Sequence, residues 1–390
     1  MMVRTLLLGS MVIAAATPQC DAANSSTSVQ NFQTITVNAG PANQYFNGAF
    51  TTVTVCVPGQ SSCQTISGVL VDTGSSGLRV LSSALSVSLP QQSDATSAPI
   101  AECLPFLDGF TWGPVQTADI KLGGEQASSV PIQVIGAPAF RSVPPACSST
   151  GVPENTLDTL GANGILGVGL FRQDCGSGCA VTGSANPGLY YACPAAGCQV
   201  IAQPLTKQLQ NPIWMFPADN NGVVIQLPQV AAGGAPTASG MMAFGIGTQS
   251  DNALGTAKVL TVDAAGNLTT VFNGQSYGSS FIDSGSNGIF FLDSTTTGLP
   301  LCKTSTDFYC PTTPRSFSAT HRGVNAATSA VTFSVGNVDA LNGNFTAFSE
   351  VAGPSPGNFD WGLSFFFGRT IFTAIEGQST SGGLGPYFAY

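Results

Sequence analysis

Two aspartates stand in matching surroundings 211 residues apart. The first lies in Val69-Leu70-Val71-Asp72-Thr73-Gly74-Ser75-Ser76-Gly77-Leu78, the second in Ser280-Phe281-Ile282-Asp283-Ser284-Gly285-Ser286-Asn287-Gly288-Ile289. In each, an apolar run ends in Asp, followed by a hydroxyl residue, Gly and Ser. One Asp-Thr-Gly is an ordinary turn sequence; two copies behind two apolar runs form a pattern. Asp72 and Asp283 brought face to face could not both ionise cheaply and would share a proton. The ionised member would take a proton from a water held between them. That water would attack a carbonyl carbon while the protonated member supports the developing oxyanion. Such a pair titrates as a unit, so neither role belongs to one Asp. Gly74 and Gly285 let each chain turn tightly beside its carboxylate. The Thr73 and Ser284 hydroxyls could brace the two loops, and Ser75 and Ser286 could hydrogen-bond the carboxylates from outside.

A second arrangement uses Gly274-Gln275-Ser276-Tyr277-Gly278, a Gly-x-Ser-x-Gly sequence, with His321, the single histidine. Ser276 as a serine-hydrolase nucleophile would need a strand before it and a helix after it. Here a strand follows, and His321 reads as a surface residue in a polar loop. One histidine excludes a multi-histidine metal site.

The elements that must position the aspartates read as strands. Thr34 to Val37 and Thr51 to Val57 alternate with period two, and Ala118, Ile120 and Leu122 do so within a return strand spanning 114–124. Asn273-Gly274 is a two-residue hairpin signal just ahead of the second aspartate. Only 82–86 and 202–210 suggest short helices. Each half carries an apolar-Gly segment after its Asp, Gly164-Ile165-Leu166-Gly167 and Trp361-Gly362-Leu363. The chain therefore reads as an all-β protein with an internal architectural repeat. A first lobe is expected over 31–210 and a second over 211–390, with one Asp loop in each.

The chain has 390 residues, of which 43% are apolar, enough for a large core. Charged residues make up 8% and the net charge is −9, against roughly 25% charged in ordinary soluble proteins. Eleven Lys and Arg in total argue against nucleic acid as a partner, which needs clustered cations. Residues 1–16 read as a signal peptide, with Arg4, an apolar core and Ala14-x-Ala16, and 17–30 as a flexible leader. No stretch is long enough to span a membrane. A secreted or periplasmic location is expected. Cys20, just past the cleavage site, is a weak lipid-anchor candidate because Gln19 precedes it.

Eleven cysteines in an exported chain point to disulfides. Cys56 with Cys63 and Cys302 with Cys310 would close short loops. Cys175, Cys179, Cys193 and Cys198 fit either further disulfides or a four-thiolate zinc site.

Taken together, Val71-Asp72-Thr73-Gly74-Ser75-Ser76, Ile282-Asp283-Ser284-Gly285-Ser286, the apolar-Gly strand at Gly164 to Gly167 and the segment Gly362 to Ile375 resemble the pepsin-like aspartic peptidases. The order of motifs covers most of 45–390. The Gly-rich ending and Phe366-Phe367-Gly368-Arg369 resemble, more narrowly, bacterial exported proteins of unknown function that carry pepsin-like motifs. The resemblance implies a two-lobed β fold and a cleft for an extended peptide or unfolded protein. It also implies Asp72 and Asp283 as catalytic pair, a monomer, and neither metal nor cofactor.

Two departures stand out. The family has a Tyr on a flap over the cleft, and no Tyr lies between Asp72 and Gly167. Phe106, Phe110 and Trp112 are the candidates for its place. Arg79 stands where the family usually has Trp, and a cation pointing inward at Asp72 would lower its pKa. The rival to an endopeptidase of this class is a catalytically weak or inactive pepsin-like binding protein.

Overall fold

The alternating runs fold as strands because one face of each can be buried and the other wetted. In a computed structural model, which describes residues 30–390, Phe32–Asn38 buries Ile35 and Val37, and Gly48–Cys56 buries Val53 and Val55 while Thr52 stays exposed. The signal peptide, Cys20 and all of the leader except Gln30 lie outside the described residues. Strands and turns dominate, and the α-helices among the described residues are single turns such as Leu157–Leu160 and Leu363–Phe366.

A 16-stranded sheet and a 7-stranded sheet carry the two-lobed all-β fold. The larger sheet runs through both halves of the chain: Phe32–Asn38 pairs with Gly48–Cys56 on one edge and with Ala238–Phe244 on the other. The smaller sheet holds Leu268–Phe272, Gln275–Ile282, Ile289–Leu292, Arg315–Arg322 and Ser355–Trp361. Its core is aromatic, with Phe272, Phe291, Phe317, Phe333, Phe359 and Trp361 in mutual edge and stacked contact. Such pairs add about 0.5–1.5 kcal/mol each beyond their area burial.

Local turn chemistry sets the register. Asn273 and Gly274 both take positive φ, 49° and 78°, as the first hairpin turn requires. They join Leu268–Phe272 to Gln275–Ile282, the strand that delivers Asp283. The return strand expected over 114–124 spans Gly109–Leu122. The helices expected at 82–86 and 202–210 are reduced to 3-10 turns at Ser82–Ala84 and Leu205–Lys207, neither with a side-chain cap.

Five disulfides form. Cys56–Cys63 and Cys302–Cys310 close the expected short loops. Cys175–Cys179 and Cys193–Cys198 take the four thiols that zinc would need. Cys103–Cys147 ties the strand Ile100–Pro105 to the helical turn Pro145–Ser148.

Candidate active site

Each aspartate sits where a buried strand gives way to a turn, and the two surroundings share one topology. The strand Cys63–Asp72 runs parallel to Gly164–Val168, with Asp72 opposite Gly167, and Ser76–Leu81 returns antiparallel along the other side of Gly164–Val168. In the second half Gln275–Ile282 runs parallel to Ser355–Trp361, and Ile289–Leu292 returns antiparallel beside it. The apolar-Gly segments are glycine for lack of space. A Cβ at Gly167 would meet the Ser75 Oγ at 2.8 Å, and one at Gly362 the Gly288 carbonyl at 2.0 Å.

The two loops meet through their hydroxyls. The Ser284 amide donates to Thr73 Oγ1 at 2.9 Å, and the Thr73 amide donates to Ser284 Oγ at 3.1 Å. Each hydroxyl then donates to a carbonyl on the opposite strand, Thr73 to Ile282 at 3.3 Å and Ser284 to Val71 at 2.8 Å. All four bonds are buried, where an unmade partner is most costly.

The carboxyls are bound in parallel fashion. The Gly74 amide donates to Asp72 Oδ1 and the Gly285 amide to Asp283 Oδ1, each at 2.7 Å. Ser75 donates to Asp72 Oδ2, and Ser286 donates to Asp283 Oδ2 at 2.8 Å. The two carboxyls lie against each other's loop. A Cβ on Gly74 would fall 2.6 Å from Asp283 Cγ, and one on Gly285 2.7 Å from Asp72 Oδ1. Both residues are nearly buried, at 6% and 8% exposure. Burial, then the Asp72 charge, then Asp360, push the Asp283 carboxyl well above the ordinary carboxylate range, against the pull of the Ser286 hydroxyl.

A cleft of about 550 Å³ opens on the pair. One wall is Leu104 to Leu107, at the end of the strand Ile100–Pro105 and in the turn before Gly109; the other includes Gly266, Phe281 and Phe388. Leu107 is 86% exposed. Phe110 and Trp112 do not line the cleft. They turn into a core cluster with Tyr191 and Cys147, and the Trp112 indole donates to the Phe140 carbonyl at 2.7 Å. Phe106 and Leu107 hold the tip instead. The Leu107-Asp108-Gly109 turn is the sequence signal that marks them.

Arg79 is fully buried, and the partners of its guanidinium do not include Asp72. Its guanidinium reaches Glu102 at 2.8 Å, Asp174 at 3.2 Å and the Ser76 carbonyl at 2.9 Å. Tyr190 donates to Asp174 at 2.7 Å. The Asp174 carboxyl lies well above its ordinary range through burial and the neighbouring Glu102. Asp360, an acid inside the apolar run Phe359-Asp360-Trp361, was not singled out from the sequence, although a charge in that run is itself a signal.

Ser276 and His321 are not brought together. Ser276 is exposed on the strand that follows the hairpin turn, with no helix behind it. His321 is not a surface residue: it is fully buried, 4.4 Å from Trp361 between ring centroids, with its Nδ1 2.7 Å from the Tyr390 hydroxyl. Burial, then Arg369, lowers its pKa to about 3.

The model of a family described as a protein of unknown function, DUF3443, matches residues 27–390. The chain belongs to that family. No curated protein matches it. The DUF3443 chain is similar in structure to an aspartic proteinase from Irpex lacteus, with a TM-score of 0.53 and 16% identity over 92% of this chain and 96% of that one. At that identity the likeness concerns the fold, which is the two-lobed pepsin-like β fold. Among the described residues of the DUF3443 chain, no helix is long and apolar enough to cross a membrane.

Proposed function

We propose that the protein is an aspartic endopeptidase that hydrolyses peptide bonds with water activated between Asp72 and Asp283. The observation that carries this reading is the reciprocal hydroxyl–amide bracing of the two loops at Thr73 and Ser284, which presents two nearly buried carboxyls to one cleft. A raised Asp283 carboxyl beside Asp72 fits a pair that keeps one proton where a lone carboxylate would have none. The ionised member would take the proton of a bound water; the other would donate to the carbonyl oxygen as the tetrahedral intermediate forms.

The substrate is an extended peptide or an unfolded protein, admitted beneath the Phe106–Leu107 turn. Both aspartates come from one chain, so a monomer holds a complete pair. The lobes divide near residue 210. Export to the periplasm or the medium follows from the N-terminal signal pattern and is consistent with five disulfides.

The test is cleavage of a denatured protein from pH 2 to 7, with Asp72→Asn, Asp283→Asn and a statine-type inhibitor as controls. Activity on the acid side, reduced ~10²–10⁴-fold or more by either substitution and blocked by the inhibitor, is expected. A folded wild type that cuts nothing in that range would favour a pepsin-like binding protein.

A further inference from the structure

The 7-stranded sheet ends on a long, bare strand. Among the described residues Thr328–Val335 pairs with Arg315–Arg322 alone, in unbroken register over eight residues. The other three strands that end the two large sheets, Gln199–Val200, Val259–Thr261 and Ala352–Gly353, are two or three residues long. A long edge is ordinarily blunted by a charge, a proline or a bulge, and Thr328–Val335 has none of these. Val331, Phe333 and Val335 are buried, while Thr328, Ala330 and Thr332 are exposed. The Thr332 carbonyl points off the edge, where it accepts from Arg369 at 3.2 Å. The amide and carbonyl of one strand residue point to the same side, so the Thr332 N–H points outward as well.

A groove follows this edge. One cavity of about 560 Å³ is lined by Ser329 to Thr332 together with Leu254, Arg369 and Phe372. A second, of about 250 Å³, continues from Thr332 to Ser334, and Arg369 lines both. Neither shares a lining residue with the cleft over Asp72 and Asp283. Arg369 is a half-buried cation without an acid. Its guanidinium donates to the Phe365 carbonyl at 2.7 Å and to Thr332, and lies 4.4 Å from the Phe365 ring centroid. Both ion pairs among the described residues belong to Arg79. Glu350 is the one acid in the lining of the two cavities, and it lines the smaller. Arg315 and Arg322 stand exposed on the neighbouring strand, opposite Val335 and Thr328. No Asp or Glu occurs between Asp307 and Asp339. In a chain of net charge −9, this face is positive.

We propose that Thr328–Val335 is a strand-addition site for an extended acidic peptide, which pairs with its outer edge and sets a carboxylate on Arg369. The incoming strand gives an N–H to the Thr332 carbonyl, which has a second lone pair, and accepts from the Thr332 amide. Main-chain hydrogen bonds supply the affinity, and the guanidinium supplies the preference for acid. A second copy of this chain fits the edge worse. Two such edges meeting about Thr332 would bring one Arg369 against another, and like charges placed opposite each other are destabilising. The site would hold an acidic segment of a polypeptide outside the cleft. It does not depend on the peptidase reading, because groove and cleft are separate.

The experiment is fluorescence anisotropy of a labelled peptide of alternating valine and glutamate, titrated with the full chain at about pH 6, where glutamate is ionised. Two altered peptides are run beside it, one with glutamine for glutamate and one N-methylated at every amide. The wild type should bind the acidic peptide saturably and ~10-fold more tightly than the glutamine peptide. The N-methylated peptide should not bind. Arg369→Gln should weaken binding ~10-fold and erase the preference for glutamate. Thr332→Pro removes the outward amide and spares the inner ladder, and should abolish binding. A statine-type inhibitor should leave binding unchanged. The proposal fails if the wild type binds no peptide, if the glutamine or N-methylated peptide binds as well as the acidic one, or if Arg369→Gln binds like wild type. Displacement by the inhibitor would put the peptide in the cleft and overturn it too. A dimer in sedimentation that Thr332→Pro dissolves would assign the edge to a second copy and overturn the peptide as its occupant. Should Thr332→Pro not fold, the two altered peptides decide on the wild-type protein. None of these arms needs turnover, so a protein that binds as described yet cuts nothing would count against the peptidase reading only.

Discussion

The Thr73 hydroxyl accepts from the Ser284 amide at 2.9 Å while the Ser284 hydroxyl accepts from the Thr73 amide at 3.1 Å. The pair closes a small buried ring between two loops 211 positions apart in sequence. It fixes the separation and tilt of two carboxyls that would otherwise repel. Valine has nearly the shape of threonine but no acceptor, so Thr73→Val leaves the Ser284 amide unpaired in the interior. A loss of ~1–3 kcal/mol in stability is expected from Thr73→Val or Ser284→Ala, with activity falling further than stability explains. Urea unfolding beside cleavage kinetics measures both. Equal and unchanged activity in both variants would remove the brace from the mechanism.

Gly74 and Gly285 face the carboxyls from opposite sides. An added Cβ at 74 would stand 2.6 Å from Asp283 Cγ, and one at 285 would stand 2.7 Å from Asp72 Oδ1. Something must move, and the nearest atoms are the carboxyls themselves. A displacement of about 1 Å of a reacting group can cost ~10²-fold in rate. Gly74→Ala and Gly285→Ala should each lose at least that in kcat while the far-ultraviolet circular dichroism stays as in wild type.

Much of this site was legible in the chain itself. Asp72 and Asp283 declare themselves because the same apolar-Asp-hydroxyl-Gly-Ser order recurs, and the Asn273-Gly274 turn marks the hairpin that leads to the second. The fold class followed from period-two runs broken by Gly and Pro. The places of Phe110, Trp112 and His321 were not legible. Aromatic and imidazole rings look alike in sequence whether they face a cleft or a core. Their direction depends on which strand face the pleat presents, and a shift of one residue reverses it. Trp112 faces Tyr191, and His321 faces Trp361. The partners of Arg79 were hidden for another reason: Glu102 and Asp174 are remote in sequence and join it only through the tertiary fold.

That buried cluster makes the fold sensitive to the loss of its one cation. Arg79 is fully buried between Glu102 and Asp174. Removing it would leave two acids in the interior with no cation. Breaking a buried ion pair from one side costs about 3–5 kcal/mol, so Arg79→Met should lower the urea midpoint by the equivalent amount. Adding Asp174→Asn to Arg79→Met should recover part of the loss, since it removes one of the stranded charges. A double variant no more stable than Arg79→Met would show that Asp174 is already neutral beside its partners.

Stability should fall as pH rises from about 5 to 8. Burial pushes Asp360 up to about 8, and burial followed by Asp108 pushes Glu154 up to about 8; Asp283 is raised as well. An acid whose folded pKa is raised stabilises fully below its unfolded pKa, here 3.8 or 4.5, and that contribution is lost as pH climbs toward the folded value. His321 acts in the other direction. Lowered from 6.5 to about 3, it stabilises above pH 6.5 and loses that contribution as pH falls toward 3. Asp174 and Glu125 are raised by burial too, so the raised acids outnumber the one lowered histidine and the net slope between pH 5 and 8 is toward greater stability in acid. Calorimetry across that range should show Tm declining with pH. Asp360→Asn removes one titrating acid and should flatten the slope by up to ~1.4 kcal/mol per pH unit. A Tm that climbs from pH 5 to 8 would mean these carboxyls are ionised in the folded protein and the site is more open to water than its burial implies.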